Sequence, residues 1–375
     1  MAEQEKLDQG LRKLPSGKYQ IRYMDPEGVR RSGGTFRHKR DALRALGRIE
    51  DSIRAGTWKP LAEAQEGGPD PRRVTLKEHS ELWLATRLTK QGGPLAPKTQ
   101  ELYRYLMTGP LAEFADMPMR RITRAKVEEW WTRAEFGTGR TRNGAYKYLK
   151  ALLDDAAERG LIGASPCKIE NATQHTPKDT IAPTDTELAL MMENAPADDL
   201  RAVMAFMAYC GLRPCEVLAL RRKSLLTTEV ADKTWWEVRV DSSLSWLKGG
   251  KIIFKEPKSV KGKRALPIPA PALPHILKHL EAIPHDPEAL LFSRDSEHQI
   301  PWAQTRLKQR LEPLRQLAGY KGTARGFRHY HLTRYGIIGA SIREIMERGG
   351  HSSVEAAMRY QLPTGRQHEL AERIT

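Results

Sequence analysis

The sequence predicts a mainly α-helical chain with small β-sheets, arranged in three parts over its 375 residues. Three observations carry that prediction. Apolar stripes at helical spacing, several opened by Ser/Thr-x-x-Glu capping boxes, recur from Thr75 onward. Strict alternation is confined to short runs around residues 19–23 and 236–268. Two polar, turn-rich stretches interrupt the apolar pattern, and a prior of roughly 100–200 residues per domain fits two or three units.

In the first part, residues 1–60, Tyr19, Ile21 and Tyr23 alternate ahead of an Asp25-Pro26-Glu27-Gly28 turn, so a second strand is expected to follow. Ala42, Leu46, Ile49 and Ile53 then form one helical stripe that ends before Gly56. These sixty residues hold 14 Lys and Arg against 8 Asp and Glu. Arg30, Arg31, Arg37, Lys39 and Arg40 lie near the sheet and are its candidate phosphate contacts. Residues 61–74, with Gln65 to Pro71 at their centre, read as a linker.

The second part, residues 75–168, is expected to be a small helical bundle. Thr75 and Glu78 form a capping box, and Leu76, Leu82, Trp83 and Leu84 supply the buried face of the helix it starts. Further helices are expected near 98–108, at 124–133 with Val127, Trp130 and Trp131 inward, and at 142–159. The last mixes Arg140, Arg142, Lys147 and Lys150 with Tyr146 and Tyr148. That mixture suits either a nucleic-acid backbone or an ordinary solvated face.

Residues 169–182 form a second linker, and the third part is 183–375. Thr184 and Glu187 are another capping box, and Leu200, Val203, Met204 and Met207 form a core stripe on the helix before Gly211. Trp236, Val238 and Val240 alternate, as do parts of 252–268, so a few strands interrupt a helical domain. Ser341 with Glu344 starts a helix facing Ile342, Ile345 and Met346 inward, which Gly349-Gly350 stops just before His351. Ser352 with Glu355 is expected to cap the last short helix, Val354 to Tyr360.

Lys and Arg number 62 against 46 Asp and Glu, and the formal net charge of +16 favours a polyanionic partner, nucleic acid first. No apolar run approaches the roughly 18 residues of a membrane span. The polar start is unlike a signal peptide, so a cytoplasmic protein with no membrane partner is expected. Cys167, Cys210 and Cys215 match neither a zinc spacing nor a disulfide framework and are expected to be free thiols.

Four local signals lie in the third part. Gly211-Leu212-Arg213-Pro214-Cys215-Glu216 ends one helix and starts another, which sets Arg213 beside a helix N-terminus where anions are favoured. Glu256-Pro257-Lys258-Ser259 sits in an expected hairpin with Lys261, Lys263 and Arg264 close behind. Arg325-Gly326-Phe327-Arg328-His329 comes next, and Gly350-His351 precedes Tyr360 by nine residues. Singly each signal is weak, but this order of two arginines, a lysine, a histidine and a late tyrosine resembles the tyrosine recombinases of the phage-integrase type.

That resemblance covers roughly residues 75–375 and implies a helical core-binding (SAM-like) domain followed by a mixed α+β catalytic domain, the two clamping double-stranded DNA. The first part resembles the arm-binding domain of integrases from actinobacterial phages and integrative elements. The implied activity is DNA cleavage and rejoining through a 3′-phosphotyrosyl link and a Holliday junction by a homotetramer, with no metal and no cofactor. Tyr360 becomes the nucleophile, Arg213 and Arg328 the phosphate clamps, His351 a phosphate-bonding group, Glu216 an orienting partner and Lys258 the acid for the 5′ oxygen. Arg140, Arg142, Lys147, Lys150, Lys261, Lys263 and Arg264 are implied DNA contacts. A host DNA-bending protein and an excisionase are candidate accessory partners.

One departure stands out. The family commonly carries histidine at the position of Arg325, and an arginine is no general base at neutral pH. Either Arg325 supplies only charge, the preferred reading, or His329 or His331 takes part of the proton handling; such catalysis is typically worth about 10²–10⁴-fold. Tyr330 and Tyr335 fall at the wrong positions for the nucleophile. A chromosome-dimer-resolving recombinase, a non-catalytic DNA-binding regulator of the same fold and a type IB topoisomerase-like enzyme are the competing readings.

Overall fold

A computed structural model describes residues 10–36, 38–56, 58, 73–89, 92–133, 139–173, 179–256, 262–361 and 371–372. The chain divides into two compact units, residues 1–94 with 104–174 and residues 95–103 with 175–375. Arg37, Lys258 and Lys261 lie outside the described residues.

At the start of the first unit β1 (Leu11–Lys13), β2 (Tyr19–Met24) and β3 (Arg30–Phe36) form an antiparallel sheet in sequence order. Helix α1 (Lys39–Arg54) covers one face. Alternation in β2 turns Ile21 and Tyr23 inward, where they meet Leu11, Ala42 and Leu46. Asp25 builds the turn, accepting from the Glu27 and Val29 amides at 3.0 and 2.8 Å and from Arg31 Nε at 2.6 Å. Arg31 is thus committed to the turn, whereas Arg30, Lys39 and Arg40 are exposed.

The same unit contains helices α2 (Leu76–Thr86), α4 (Ala112–Ala115), α5 (Arg124–Arg133) and α6 (Gly139–Glu158); α3 (Pro97–Thr108) is divided between the units. The Thr75–Glu78 capping box forms as expected, and Leu76, Trp83 and Leu84 are buried. Leu82, expected inside, is half exposed because the inward stripe runs through His79, Ser80 and Trp83 instead. Val127 and Trp130 are buried, while Trp131 is partly exposed and carries Arg142 over its ring at 4.3 Å.

Tyr146 and Tyr148 do not join the basic surface. Both are buried in α6, Tyr148 sharing a hydrogen bond with Ser80 (2.7 Å) and Tyr146 accepting from the Ile169 amide (2.8 Å). Their positions fall on the stripe of Leu149, Leu152 and Leu153, and helical geometry takes them inward with it. Arg140 and Lys147 remain exposed, and Lys150 pairs with Asp154 at 2.6 Å.

The second unit is organised around α8 (Asp198–Ala208), whose residues from Ala202 to Ala208 are all buried. A helix apolar on every side must be central, and it packs against α10 (Leu273–Leu280) and α12 (Ala324–Ile337). Helix α7 (Asp185–Glu193), opened by the Thr184–Glu187 capping box, packs against α11 (Gln304–Leu317). Strands β4 (Leu225–Val230), β5 (Lys233–Val240) and β8 (Arg264–Pro267) make an antiparallel sheet that places Val238 opposite Leu266 in the core. A separate hairpin pairs β6 (Ser243–Trp246) with β7 (Ile252–Lys255).

The chain ends its described course with α13 (Ile342–Gly349) and α14 (Val354–Met358). Gly350 closes α13 in the left-handed region, φ 58°. Only Ile345 of the expected α13 face is fully buried, with Ile342 and Met346 partly so. The last helix is shorter than expected, and Ser353 rather than Ser352 caps it, accepting from the Ala356 amide at 3.4 Å. Arg359 and Tyr360 form the turn that follows.

Gly211 joins α8 to α9 (Pro214–Val217) at φ 75°, and the Leu212 amide reaches back to Phe206 O at 3.1 Å. A Cβ at 211 would stand 2.4 Å from His331 Cδ2. Gly211→Ala combines left-handed strain with a clash, so the unfolding free energy of this unit should fall by about 2–5 kcal/mol. Urea denaturation tests this, and an unchanged midpoint would mean that the turn relaxes around the methyl group.

Candidate functional site

Three separated parts of the second unit converge on one carboxylate. Glu216, in α9, is 6% exposed, accepts hydrogen bonds from two arginines and faces a third. Its Oε2 takes the Arg213 amide at 2.8 Å and Arg264 Nη2 at 2.9 Å; its Oε1 takes Arg213 Nη1 at 2.7 Å. Arg328 Nη1 stands 4.0 Å from Oε2. Burial would raise this carboxyl, yet Arg264, Arg213 and Arg328 hold it down to about 2.

Arg328 comes from the first turns of α12 and is 4% exposed. Its guanidinium donates to Gly211 O at 2.7 Å, to Gly349 O and to His351 Nε2 at 2.9 Å. A guanidinium has five N–H groups, so two remain after these three bonds. Burial and the nearby Arg213 push it down to about 9, which leaves it charged at neutral pH. Arg213 is less enclosed; beyond Glu216 it donates to Gly350 O at 3.3 Å.

His351 is delivered by the turn after α13 and is buried. Arginine can only donate, so Nε2 must accept from Arg328 and the proton of a neutral ring must sit on Nδ1. Burial and Arg328, Arg213 and Arg264 push this imidazole down to about 4, so it is neutral at pH 7. Nδ1 is buried with no hydrogen-bond partner among the described residues. An unpaired N–H beside two guanidiniums is a donor set for an anion.

Tyr360 lies against that donor set. Its ring stacks on His351, centroids 5.5 Å apart and planes within 2°, and meets His329 on another side at 5.0 Å. Gly336 permits this approach, since a Cβ there would fall 2.5 Å from Tyr360 O. The structure thus brings together Arg213, Glu216, Arg328, His351 and Tyr360. Arg325 is exposed, one turn before His329 on α12.

Arg264 corrects an expectation. It is not a surface cation for DNA: its side chain is buried, with Nη2 on Glu216 and Nε donating to Arg348 O at 3.1 Å. The period of two in β8 explains it, because Arg264 shares a face with buried Leu266. That alternation was the available signal, masked by the charge of the run around it. Lys263, facing the other way, is exposed and pairs with Glu256 at 2.9 Å. Tyr330 instead bonds Asp185 at 2.7 Å, and Tyr335 stacks on His331. His331 is buried beneath Gly211 and accepts from Arg348 Nε at 3.1 Å.

In the first unit, sequence reasoning passed over Arg12 and Arg22. Register places Arg12 beside Gln20 and Thr35 beyond it, with Arg22 opposite Ser32 and Met24 opposite Arg30. Gln20, Arg22 and Met24 alternate with buried Ile21 and Tyr23, so this is the face away from the core. Counting which cations alternate with the apolar residues would have selected Arg12 and Arg22.

Because the folded carboxyl of Glu216 lies below its ordinary 4.5, its stabilisation is complete above pH 4.5 and disappears as pH falls toward 2. The gap is worth about 3 kcal/mol. Glu216→Gln should cost about 3–5 kcal/mol at pH 7 by leaving the arginines unneutralised. It should also lose about 3 kcal/mol less than the parent between pH 5 and pH 2. Urea denaturation at each pH measures both; parallel acid losses would place the sensitivity in other groups.

Comparison with known proteins matches residues 10–55 to the N-terminal domain of phage integrases and residues 184–364 to the phage integrase family. The integrase of prophage phiRv2 of Mycobacterium tuberculosis is 31% identical over 367 residues, covering 96% of this chain and 93% of that protein. The integrase of Mycobacterium phage D29 is 27% identical, covering 97% and 96%. Among solved structures, the Tn1549 transposon integrase on circular intermediate DNA covers 80% of this chain and 100% of that one, with a TM-score of 0.66 at 16% identity. A lambda integrase tetramer on a Holliday junction covers 97% and 98%, with a TM-score of 0.55 at 17% identity. No helix among the described residues is long and apolar enough to cross a membrane. With a relative matched at this identity along nearly its whole length, the chain belongs to the phage integrase family and is a site-specific tyrosine recombinase.

Proposed function

We propose that this recombinase acts as an integrase on double-stranded DNA, with Tyr360 as nucleophile and Arg213, Arg328 and His351 as the phosphate site. The observation that carries the reading is the stacking of Tyr360 on His351, whose other edge is hydrogen-bonded by Arg328. Two guanidiniums and the Nδ1–H neutralise the charge that grows on the non-bridging oxygens as phosphorus becomes five-coordinate. Attack by the Tyr360 oxygen forms the 3′-phosphotyrosyl bond and breaks the bond to the 5′ oxygen, to which Lys258 gives a proton. The phosphotyrosyl link retains the energy needed for rejoining, and a partner strand's 5′ hydroxyl reverses the step.

Glu216 keeps Arg213 and Arg328 oriented without touching the phosphate, and Arg325 contributes charge at the rim of the site. Four protomers exchange strands through a Holliday junction, as the lambda tetramer's bound DNA supports. The outer sheet face with Arg12, Arg22 and Arg30 grips arm-type DNA, and Arg140 and Lys147 on α6 contact the core site. The domain parts are residues 1–60, 75–168 and 183–375. A cytoplasmic location in the host and assistance from a bending protein and an excisionase complete this reading.

Covalent trapping tests it. Incubated without metal on a library of nicked duplexes and denatured in detergent, the protein should retain DNA at Tyr360, as mapped by mass spectrometry. Tyr360→Phe should bind DNA with unchanged affinity and trap none; trapping by that variant would remove the nucleophile assignment. Arg328→Lys should cleave about 10²–10³-fold more slowly, because lysine cannot hold Gly211 O, Gly349 O and His351 while facing a phosphate.

A further inference from the structure

The site contains three histidines within reach of its arginines and its tyrosine, and their hydrogen bonds separate them. His351 Nε2 is occupied by Arg328, and its other nitrogen carries the proton, so a neutral His351 can donate but has no lone pair for a proton. His331 is similarly committed, accepting from Arg348 through Nε2 and bonded to the Ala208 backbone through the rest of its ring. Placing a proton on either would set a cation directly against a guanidinium.

His329 differs on both counts. It is half-buried on α12, its ring lies 5.0 Å from that of Tyr360, and no arginine donates to it among the described residues. The charged group acting on it is the Asp179 carboxylate, which favours an imidazolium. Tyr360 faces it from the turn after α14, and Arg325 stands one turn earlier on its own helix, exposed to solvent. Resting on the function proposed above, we propose that His329 is a further catalytic residue, the base that takes the phenol proton of Tyr360.

The step balances. The phenol O–H bond breaks as its proton passes to the unprotonated ring nitrogen of His329, and the phenolic oxygen's electron pair forms the bond to phosphorus. The bond from phosphorus to the 5′ oxygen breaks, and that oxygen leaves with a proton from Lys258. In rejoining, the attacking 5′ hydroxyl gives its proton back to Lys258 as its oxygen bonds phosphorus, the phosphorus–Tyr360 oxygen bond breaks, and the imidazolium of His329 returns its proton to that oxygen. Asp179 holds that imidazolium electrostatically and takes no proton. Stacked on the opposite partner, His351 keeps its Nδ1–H for the phosphate.

Single-turnover cleavage of a nicked duplex carrying the sequence recovered by covalent trapping decides the matter. His329→Gln should bind that DNA normally and cleave about 10²–10⁴-fold more slowly. Burial lowers this imidazole below its ordinary 6.5, so the parent's rate should rise with pH through an inflection below 6.5 and then level. The variant should lack that inflection. His329→Ala should regain rate with added imidazole, a response that a packing defect would not give. A parent pH profile retained in His329→Gln, or an alanine variant indifferent to imidazole, would overturn the assignment while leaving Tyr360 as nucleophile. Absence of any Tyr360 adduct in the parent protein would instead overturn the underlying function.

Discussion

The buried carboxylate of Glu216 is the constraint on which the rest of the site depends. Arg213, Arg264 and Arg328 come from a helix start, a strand and a different helix, and each is a charge that costs several kcal/mol to withdraw from water. Glu216 meets two of them by hydrogen bonds and the third at 4.0 Å. Its own desolvation is outweighed by those three cations together. Removing the carboxylate therefore disturbs the joint between three elements as well as one side chain.

One negative charge among three positive ones leaves an excess, and the hydrogen bonds determine where it points. Arg264 turns all its described bonds inward, to Glu216, Arg348 O and Gly262 O, so it supports the others. Arg328 fixes the ends of two helices through Gly211 O and Gly349 O and still keeps two N–H groups. Arg213 is the more open of the pair. The same network sets the tautomer of His351, because a donor on Nε2 forces the ring's proton to Nδ1. The bonds that join these elements thus also fix where the remaining N–H groups lie.

Much of this was legible in the sequence because the decisive side chains sit at element boundaries with local signatures. Gly211 and Pro214 bracket Arg213, and Gly349-Gly350 announces His351, each by backbone chemistry that requires no tertiary knowledge. What escaped was decided by packing. Arg264 follows lysines that suggest a solvated hairpin, yet the pleat turns it inward beside Leu266. Tyr146 and Tyr148 stand among cations in the sequence, but the turn of α6 buries them with its leucines. Two adjacent serines compete to start α14, and the chain uses Ser353 although Ser352 has the better-spaced glutamate. His329 carries no motif of its own, and only packing sets its ring against Tyr360.

The last turn packs Tyr360 into the same fold that holds Arg213, Arg328 and His351. Gly336 lets the backbone of Tyr360 approach α12, and Gly349 leaves room for His351, where a Cβ would fall 2.6 Å from Cε1. Ala357 is buried and anchors α14 between those contacts. Tyr360 consequently packs between two histidines, His351, whose Nε2 already accepts from Arg328, and His329. Arg328 bonds the imidazole of His351, and among the described residues no arginine bonds that of His329.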